Sequence, residues 1–397
     1  MMKLRNTIHY MLCLMMSASM LTGCIEEYDA DIAEEDANLL VVEGTICANK
    51  QNMFILSWTD PITGDYTPQW AMEAKVSVRG TDGTEINTQG GNGYYTCQLG
   101  DLNPNVDYYL HIELGDDIYE STPQKPLPTE KIADIRGVQK TEESDIEVLV
   151  TPAEPFEPGK ANYYTWTCDI TWEVHPQYVT YYYYDTELKT GVIKGGQFPE
   201  RGWIDYRSQN VMIGSSTSYE GQHIERMKLY GISKASDRMY YRYSGLVEQR
   251  ALSKGEYEYE LARRQAGEEM GGLFTPLPSA LPTNIHCLTS KKHVIGYVGC
   301  SLNTSKYRFF LNRKDFNIYR PVQIDSRIWL ENPSDIDCMK MVERGLYLCE
   351  WDNTTMTPAG QPLLKTAWAF PYQLDVRYQG AYIEKPDYWD SEENISY

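Results

Sequence analysis

Long apolar runs are missing from this chain of 397 residues. The apolar stretch near its start, Met11 to Met20, would rise only about 15 Å as a helix, roughly half the hydrocarbon core of a bilayer. It is too short to span one. Catalytic signatures are missing as well: there is no G-x-S-x-G elbow, no H-E-x-x-H and no phosphate-binding loop. The six histidines, at positions 9, 111, 175, 223, 286 and 293, are scattered, and the cysteines show no CxxC or zinc-ligand spacing. No internal repeat or heptad pattern is present. Positive charge is short, with 36 Lys and Arg against 56 Asp and Glu and a net charge of −20, which argues against nucleic acid or anionic lipid as an electrostatic partner. Neither a cofactor, a metal nor a catalytic residue is expected.

Phenylalanine is scarce, at 8 residues against 32 tyrosines. Tyrosine packs its ring while keeping a hydroxyl in water, which suits half-buried strands first and binding surfaces second.

The amino terminus carries Lys3 and Arg5 without an acid, then the short apolar run, then Leu21-Thr22-Gly23-Cys24. A positive start, a short apolar core and small residues before a cut site describe a secretory signal, residues 1–23. The final tetrad resembles the bacterial lipobox, whose cysteine is acylated after cleavage. Cys24 is therefore the expected lipidation site, and two or more acyl chains give a stable anchor. Removal of the signal leaves 374 residues with a net charge of −22. Residues 24–38, rich in Asp and Glu, are expected to be an acidic tether.

Residues 39–121 alternate short apolar runs with Gly/Asp/Asn turns, the pattern of a β-sandwich and not of a βαβ unit. Gly90-Gly-Asn-Gly93 opens no helix and reads as a turn between strands. Asp116-Asp117 and the acids of the tether lack calcium-loop spacing. The Pro-containing stretch Thr122 to Pro128 is the expected exit, so the first domain is placed at 39–128 and a larger β-rich domain at 129–397. In the second domain, strand-like runs are expected at 146–150, 163–173, 179–184, 211–213, 239–248, 294–298, 307–311 and 328–330. One or two short helices are expected among them. The clearest starts at Ser253-Lys-Gly-Glu256, a capping box, and stops near Gly267. Seven cysteines remain once Cys13 and Cys24 are set aside, an odd number. Cys338 and Cys349 are the possible disulfide with the shortest loop to close.

In sequence order, Leu40-Val-Val-Glu-Gly44, Tyr241-Arg-Tyr-Ser244, Tyr257-Glu-Tyr259, Gly271-Gly-Leu-Phe274, Pro282-Thr-Asn-Ile285 and Lys385-Pro-Asp-Tyr-Trp389 mark out a pattern. It resembles the Bacteroidetes outer-membrane lipoproteins grouped as domain of unknown function 4249. The resemblance implies an N-terminal immunoglobulin-like β-sandwich and a larger β-rich C-terminal domain, on a non-enzymatic lipoprotein encoded beside TonB-dependent transporters. The acidic residues after Cys24 likewise resemble the export signal that sends such lipoproteins to the outer leaflet, facing the exterior. Related tails carry a cysteine pair near Leu374 to Arg377 that this chain lacks, and Cys338 with Cys349 would be a local substitute.

On this reading the chain is a surface-exposed accessory that binds a TonB-dependent transporter, an unknown ligand, or both. Tyr182, Tyr184, Trp203, Tyr388 and Trp389 are the aromatic residues expected to make contact. Two other classes compete with it. A fimbrial or adhesin subunit would need a removable first strand after a Lys or Arg cleavage site, and no Lys or Arg lies between Cys24 and Lys50. A hydrolase would need a cryptic site that no motif marks.

Overall fold

The computed structural model describes residues 38–59, 69–208, 211–268 and 281–397, with no side-chain detail at 266–268. Cys24, the signal, nearly all of the tether and Gly271 to Phe274 lie outside the described residues. The described chain is mainly β, a set of sandwiched sheets with few helices.

The first sandwich follows directly from alternation. In Gln51–Trp58 the residues Asn52, Phe54 and Leu56 are buried while Met53 between them is exposed, as period-2 geometry requires. Leu40–Glu43, Gln51–Trp58, Tyr94–Gln98 and Gln89–Gly91 form one antiparallel sheet. Asp117–Ser121, Tyr108–Leu114, Lys75–Gly80 and Glu85–Asn87 form the other. Phe54, Leu56, Val78, Leu110 and Ile112, all fully buried, fill the space between them. The Gly-rich segment is the turn its composition implied. Asn92 and Gly93 take φ of 54° and 83°, the left-handed pair of a two-residue hairpin.

The domain boundary differs from the expected one. Three short strands from much later in the chain complete this sandwich. Val294–Gly296 pairs in parallel with Leu40–Glu43, Ile285–Cys287 pairs with Asp117–Ser121, and Gly299–Ser301 pairs in parallel with Thr45–Cys47. Ile285, Val294, Val298 and Cys300 enter its core. The physical reason is edge protection: the returning strands cover backbone groups that a unit ending at residue 128 would leave open. The stretch from Thr122 to Pro128 is also no loose exit. Gln124 bridges to Tyr108, and Leu127 bridges in parallel to Ser301.

The second sandwich faces a three-stranded sheet, Ile132–Gln139, Ile146–Pro152 and Met227–Ile232, against a larger one. In the larger sheet Gly202–Arg207, Tyr163–Val174, Arg242–Leu252, Ser305–Asn312 and Ile395–Ser396 lie side by side, and Met212–Ser215 also joins Tyr163–Val174. Even-numbered residues of Tyr163–Val174, from Tyr164 to Val174, enter the core between the sheets; the odd-numbered ones point away from it. Close approach is built in at Gly245, where a Cβ would lie 2.4 Å from the Phe309 ring.

The helix Lys254–Glu268 starts where Ser253 was expected to cap it, and the Glu256 amide donates to Ser253 Oγ at 3.2 Å. The reciprocal half of the box is replaced. The Glu256 side chain turns to Arg250, 2.8 Å away, in a buried ion pair. A third, smaller unit packs a hairpin, Tyr182–Asp185 with Thr190–Ile193, and the helix Asp335–Glu343 onto a sheet of Ile328–Glu331, Lys365–Ala369 and Tyr347–Asp352. That helix carries a complete capping box between Ser334 and Asp337. Among the described residues no helix is long and apolar enough to cross a membrane.

Candidate functional site

The four consecutive tyrosines divide as a strand must divide them. Tyr184 is buried and Tyr182 half-buried, both packed in the small unit's core with Met341, Leu348 and Trp368. Burial, with Cys338 beside it, pushes the Tyr184 phenol up to about 12. Tyr181 and Tyr183 face out, 50% and 43% exposed. Tyr183 pairs across the hairpin with Val192, the Lys194 amide donates to the Tyr181 carbonyl, and the Lys194 ammonium lies 5.1 Å from the Tyr183 ring centroid. The hairpin thus shows solvent an aromatic face with one cation on it. Its seat on the sheet depends on Gly191, where a Cβ would lie 2.6 Å from the Trp351 ring.

The helix tied to this hairpin has an exposed apolar stripe of its own. Cys338 and Met341 face the core, whereas Ile336, Met339 and Val342, spaced i, i+3, i+6, are exposed. Lys189 in the hairpin turn reaches Asp335 at the start of the helix, at 3.0 Å, and ties the two elements together. Residues chosen from the sequence as contacts therefore lie one position out of phase: Tyr181 and Tyr183 are presented, Tyr182 and Tyr184 hold the platform.

Trp203, Tyr388 and Trp389 are brought together, with the two tryptophans buried and Tyr388 half-buried. Trp203 and Trp389 are 4% and 2% exposed and meet edge-on at 6.2 Å. The Trp389 indole N–H donates to Glu173 Oε2 at 3.0 Å, and the Tyr388 hydroxyl lies 3.0 Å from Thr171 Oγ1. The Arg308 guanidinium covers the Tyr388 ring at 3.5 Å, while Arg242 donates to the carbonyls of Trp389 and Ser391. Glu173 also accepts from His175 at 2.6 Å, and His175 stacks on Tyr241. Burial raises the Glu173 pKa, but His175 and Trp389 outweigh it and hold the carboxyl below its usual range. These aromatics are a clasp that fixes the tail over the polar face of the larger sheet, not a contact surface.

The expected Cys338–Cys349 disulfide is absent; both are buried free thiols. Leu348 points into the cluster that holds Cys338, so Cys349, next along the strand, faces a different one with Ala369 and Leu374. Burial pushes Cys168, Cys300 and Cys349 up to about 12. Cys287 is the half-buried exception. Burial works against its thiolate too, but the Ser290 hydroxyl at 3.0 Å and Thr289 outweigh it, and its pKa is lowered. Asp117 is engaged by Lys292 at 2.6 Å and Thr289 at 2.8 Å. Among the described residues no group of three or more His, Cys, Asp or Glu is placed to hold a metal ion.

The family model for a domain of unknown function, DUF4249, matches residues 25–307. The chain belongs to that family. The DUF4249 match takes in the first sandwich with its returning strands and most of the second, and stops at Tyr307. The helix Asp335–Glu343 and the tail residues Tyr388 and Trp389 lie beyond it. No curated protein matches the chain. Among solved structures, a Salmonella alpha-2-macroglobulin mutant is similar at 9% identity over 91% of this chain, with a TM-score of 0.18. The chain spans 22% of that protein's length.

Proposed function

We propose that this chain is a surface-exposed outer-membrane lipoprotein, anchored through Cys24, that works without catalysis as a binding accessory of a TonB-dependent transporter in nutrient uptake. The observation that carries this reading is the exposed apolar surface of the small unit: Tyr181, Tyr183 and Val192 on a hairpin that Lys189 ties, through Asp335, to the helix bearing the exposed stripe Ile336, Met339 and Val342. Exposed apolar groups clustered this way are characteristic of surfaces that meet another protein, and Tyr loses little entropy on contact. The lipobox-like tetrad supplies the location. Anchoring both partners in one membrane raises their effective concentration, so a modest interface suffices.

The test is co-purification from native membranes in mild detergent. The wild-type protein is expected to bring down a TonB-dependent barrel. Tyr181→Ser with Tyr183→Ser should lose the barrel while leaving the fold intact, and Cys24→Ala should lose membrane retention. Repeated recovery of the folded wild-type protein alone would overturn the proposal.

A further inference from the structure

The hairpin of the small unit has an open edge, and its register shows which backbone groups lie along it. The Lys194 amide donates to the Tyr181 carbonyl, and Tyr182 to Asp185 stand opposite Ile193 to Thr190. Hydrogen-bonded pairs alternate along an antiparallel ribbon, so the N–H and C=O groups of Lys194, Val192 and Thr190 point toward the Tyr182–Asp185 strand. Those of Ile193 and Gly191 point the other way, and they have no hydrogen-bond partner among the described residues. On the other strand, by contrast, the outward carbonyl of Tyr182 accepts from the Gln197 side chain at 2.7 Å.

The side chains along this edge match the open backbone. Ile193 and Gly191 share the packed face of the ribbon with Tyr182 and Tyr184, yet Ile193 is 76% exposed. An isoleucine on a packed face but open to water, beside unpaired donors and acceptors, calls for one more strand. The strand that fits is Thr190–Ile193 of a second copy, antiparallel about a two-fold axis through Val192. Gly191 of each copy then stands opposite Ile193 of the other, and every open donor meets an open acceptor. Gly191 has no side chain, so Ile193 of the other copy has room to lie over the Trp351 ring that Gly191 abuts. The charges agree as well. In its own copy the Lys194 ammonium lies over the Tyr183 ring and is in no ion pair among the described residues. Across the axis it stands opposite Thr190, which is paired with Asp185 in the acidic turn that also carries Glu187. No two lysines are brought face to face.

We infer that the Thr190–Ile193 edge is a self-association site, at which two copies of this chain join their hairpins into one four-stranded sheet. The joined sheet presents Tyr181, Tyr183 and Val192 of both copies on a single face. The contact is small and therefore weak between free molecules. A shared membrane, on the anchoring reading above, raises the concentration at which copies meet. The pairing itself needs no transporter.

The test is disulfide trapping of the full-length protein in native membranes, with Cys287→Ser introduced to remove the half-buried thiol. Val192→Cys places a thiol on the two-fold axis, opposite its own copy at about 4.5 Å between Cα atoms, a spacing that a disulfide spans. Thr190→Cys places it opposite Lys194 instead, out of reach of its own copy. Under copper phenanthroline, Val192→Cys is expected to give a dimer of this chain on a non-reducing gel, in a yield at least about tenfold above that of Thr190→Cys. Ile193→Pro, added to Val192→Cys, removes one open donor from each copy and none of the bonds within the hairpin, and should cut the yield about tenfold in a folded protein. No dimer from Val192→Cys, an equal yield from Thr190→Cys, an undiminished yield with Ile193→Pro, or trapping to a different protein in place of a second copy overturns the inference.

Discussion

Replacing Trp389 with Ala tests whether the tail is a structural clasp. The side chain is 2% exposed, rests edge-on against Trp203 and donates its indole N–H to Glu173. Emptying a buried tryptophan site costs about 3–5 kcal/mol. Glu173 keeps His175 but loses a donor in a buried setting, which places the cost toward the upper end. Against a typical stability of about 5–15 kcal/mol this removes a large part of the margin, and for a chain of this length the midpoint of thermal unfolding should fall by roughly 4–7 °C. Urea denaturation followed by circular dichroism is the assay. Trp389→Phe keeps an aromatic ring against Trp203 and removes the hydrogen bond with part of the ring volume, so its cost should fall between about 1 kcal/mol and that of Trp389→Ala. The hydrogen bond also has a pH signature. Folding depresses the Glu173 pKa, so its contribution is complete above the unfolded glutamate value and is lost as pH falls through the folded one. The gap between wild type and Trp389→Phe should therefore narrow below about pH 4. A Trp389→Ala protein destabilised by less than about 1 kcal/mol would refute the clasp.

Cys287 should be the first of the described thiols to react with an alkylating reagent in the native protein, and to do so below the pH at which an ordinary cysteine reacts. Mass spectrometry of native and unfolded protein would show one modified site before unfolding, absent in Cys287→Ser; equal labelling of Cys168 or Cys300 would contradict it. Gly191→Ala drives a methyl into the Trp351 ring and should cost about 1–3 kcal/mol, read from the thermal midpoint. Tyr181→Ser with Tyr183→Ser should change stability by no more than about 0.5 kcal/mol in the same measurement, since both rings face water. A chain ended at Pro128 should fail to fold, because it lacks the strands Ile285–Cys287, Val294–Gly296 and Gly299–Ser301; dispersed amide signals from that fragment would show that the first sandwich is self-sufficient.

Much of the β-architecture is legible in the sequence because long strands carry their own phase. Tyr163–Val174 alternates apolar and polar residues over twelve positions, so both its existence and its buried face can be read. The Asn-Gly hairpin at Asn92 and Gly93 is legible for the same local reason, since its turn type demands those residues. The returning strands are legible only in part. The run at 294–298 marks Val294–Gly296, but Ile285–Cys287 and Gly299–Ser301 have three residues each, too few for a period. No local signal names the partners, two of which are met in parallel far along the chain. The second helix leaves no amphipathic signal although Ser334 and Asp337 form a capping box, because its exposed side is as apolar as its buried side. Four tyrosines in a row fix alternation but not phase, since no polar residue marks the wet side; Tyr182 and Tyr184 were chosen where Tyr181 and Tyr183 are presented. Trp389 could be read as an important aromatic but not as a buried one. Whether a ring is covered depends on Arg242, Arg308 and Glu173, which arrive from three different strands.

The same interleaving that hides the domain boundary from the sequence decides how the seam can behave. The chain passes between the sandwiches three times: forward through Thr122 to Lys131, back after Leu252, and forward again between Ser301 and Ser305. The first and last crossings are bonded to each other, for the Thr129 amide donates to Asn303 Oδ1 at 3.0 Å and the Asn303 side chain donates back to the Thr129 carbonyl at 2.9 Å. Lys50 to Glu248 adds an ion pair across the same seam. Two bodies joined by one linker are free to hinge, and closing such a hinge on a ligand costs ordering entropy. Three crossings, two of them paired, leave no free hinge axis. The cavity of about 210 Å³ at this seam, lined by Lys50 from the first sandwich and by Glu248 and Arg250 from the second, is accordingly held in a fixed shape. The protein should therefore hold a single relative placement of the sandwiches in solution. A spread of compactness across the population, measured by small-angle scattering, would mean that the crossings do not lock the seam.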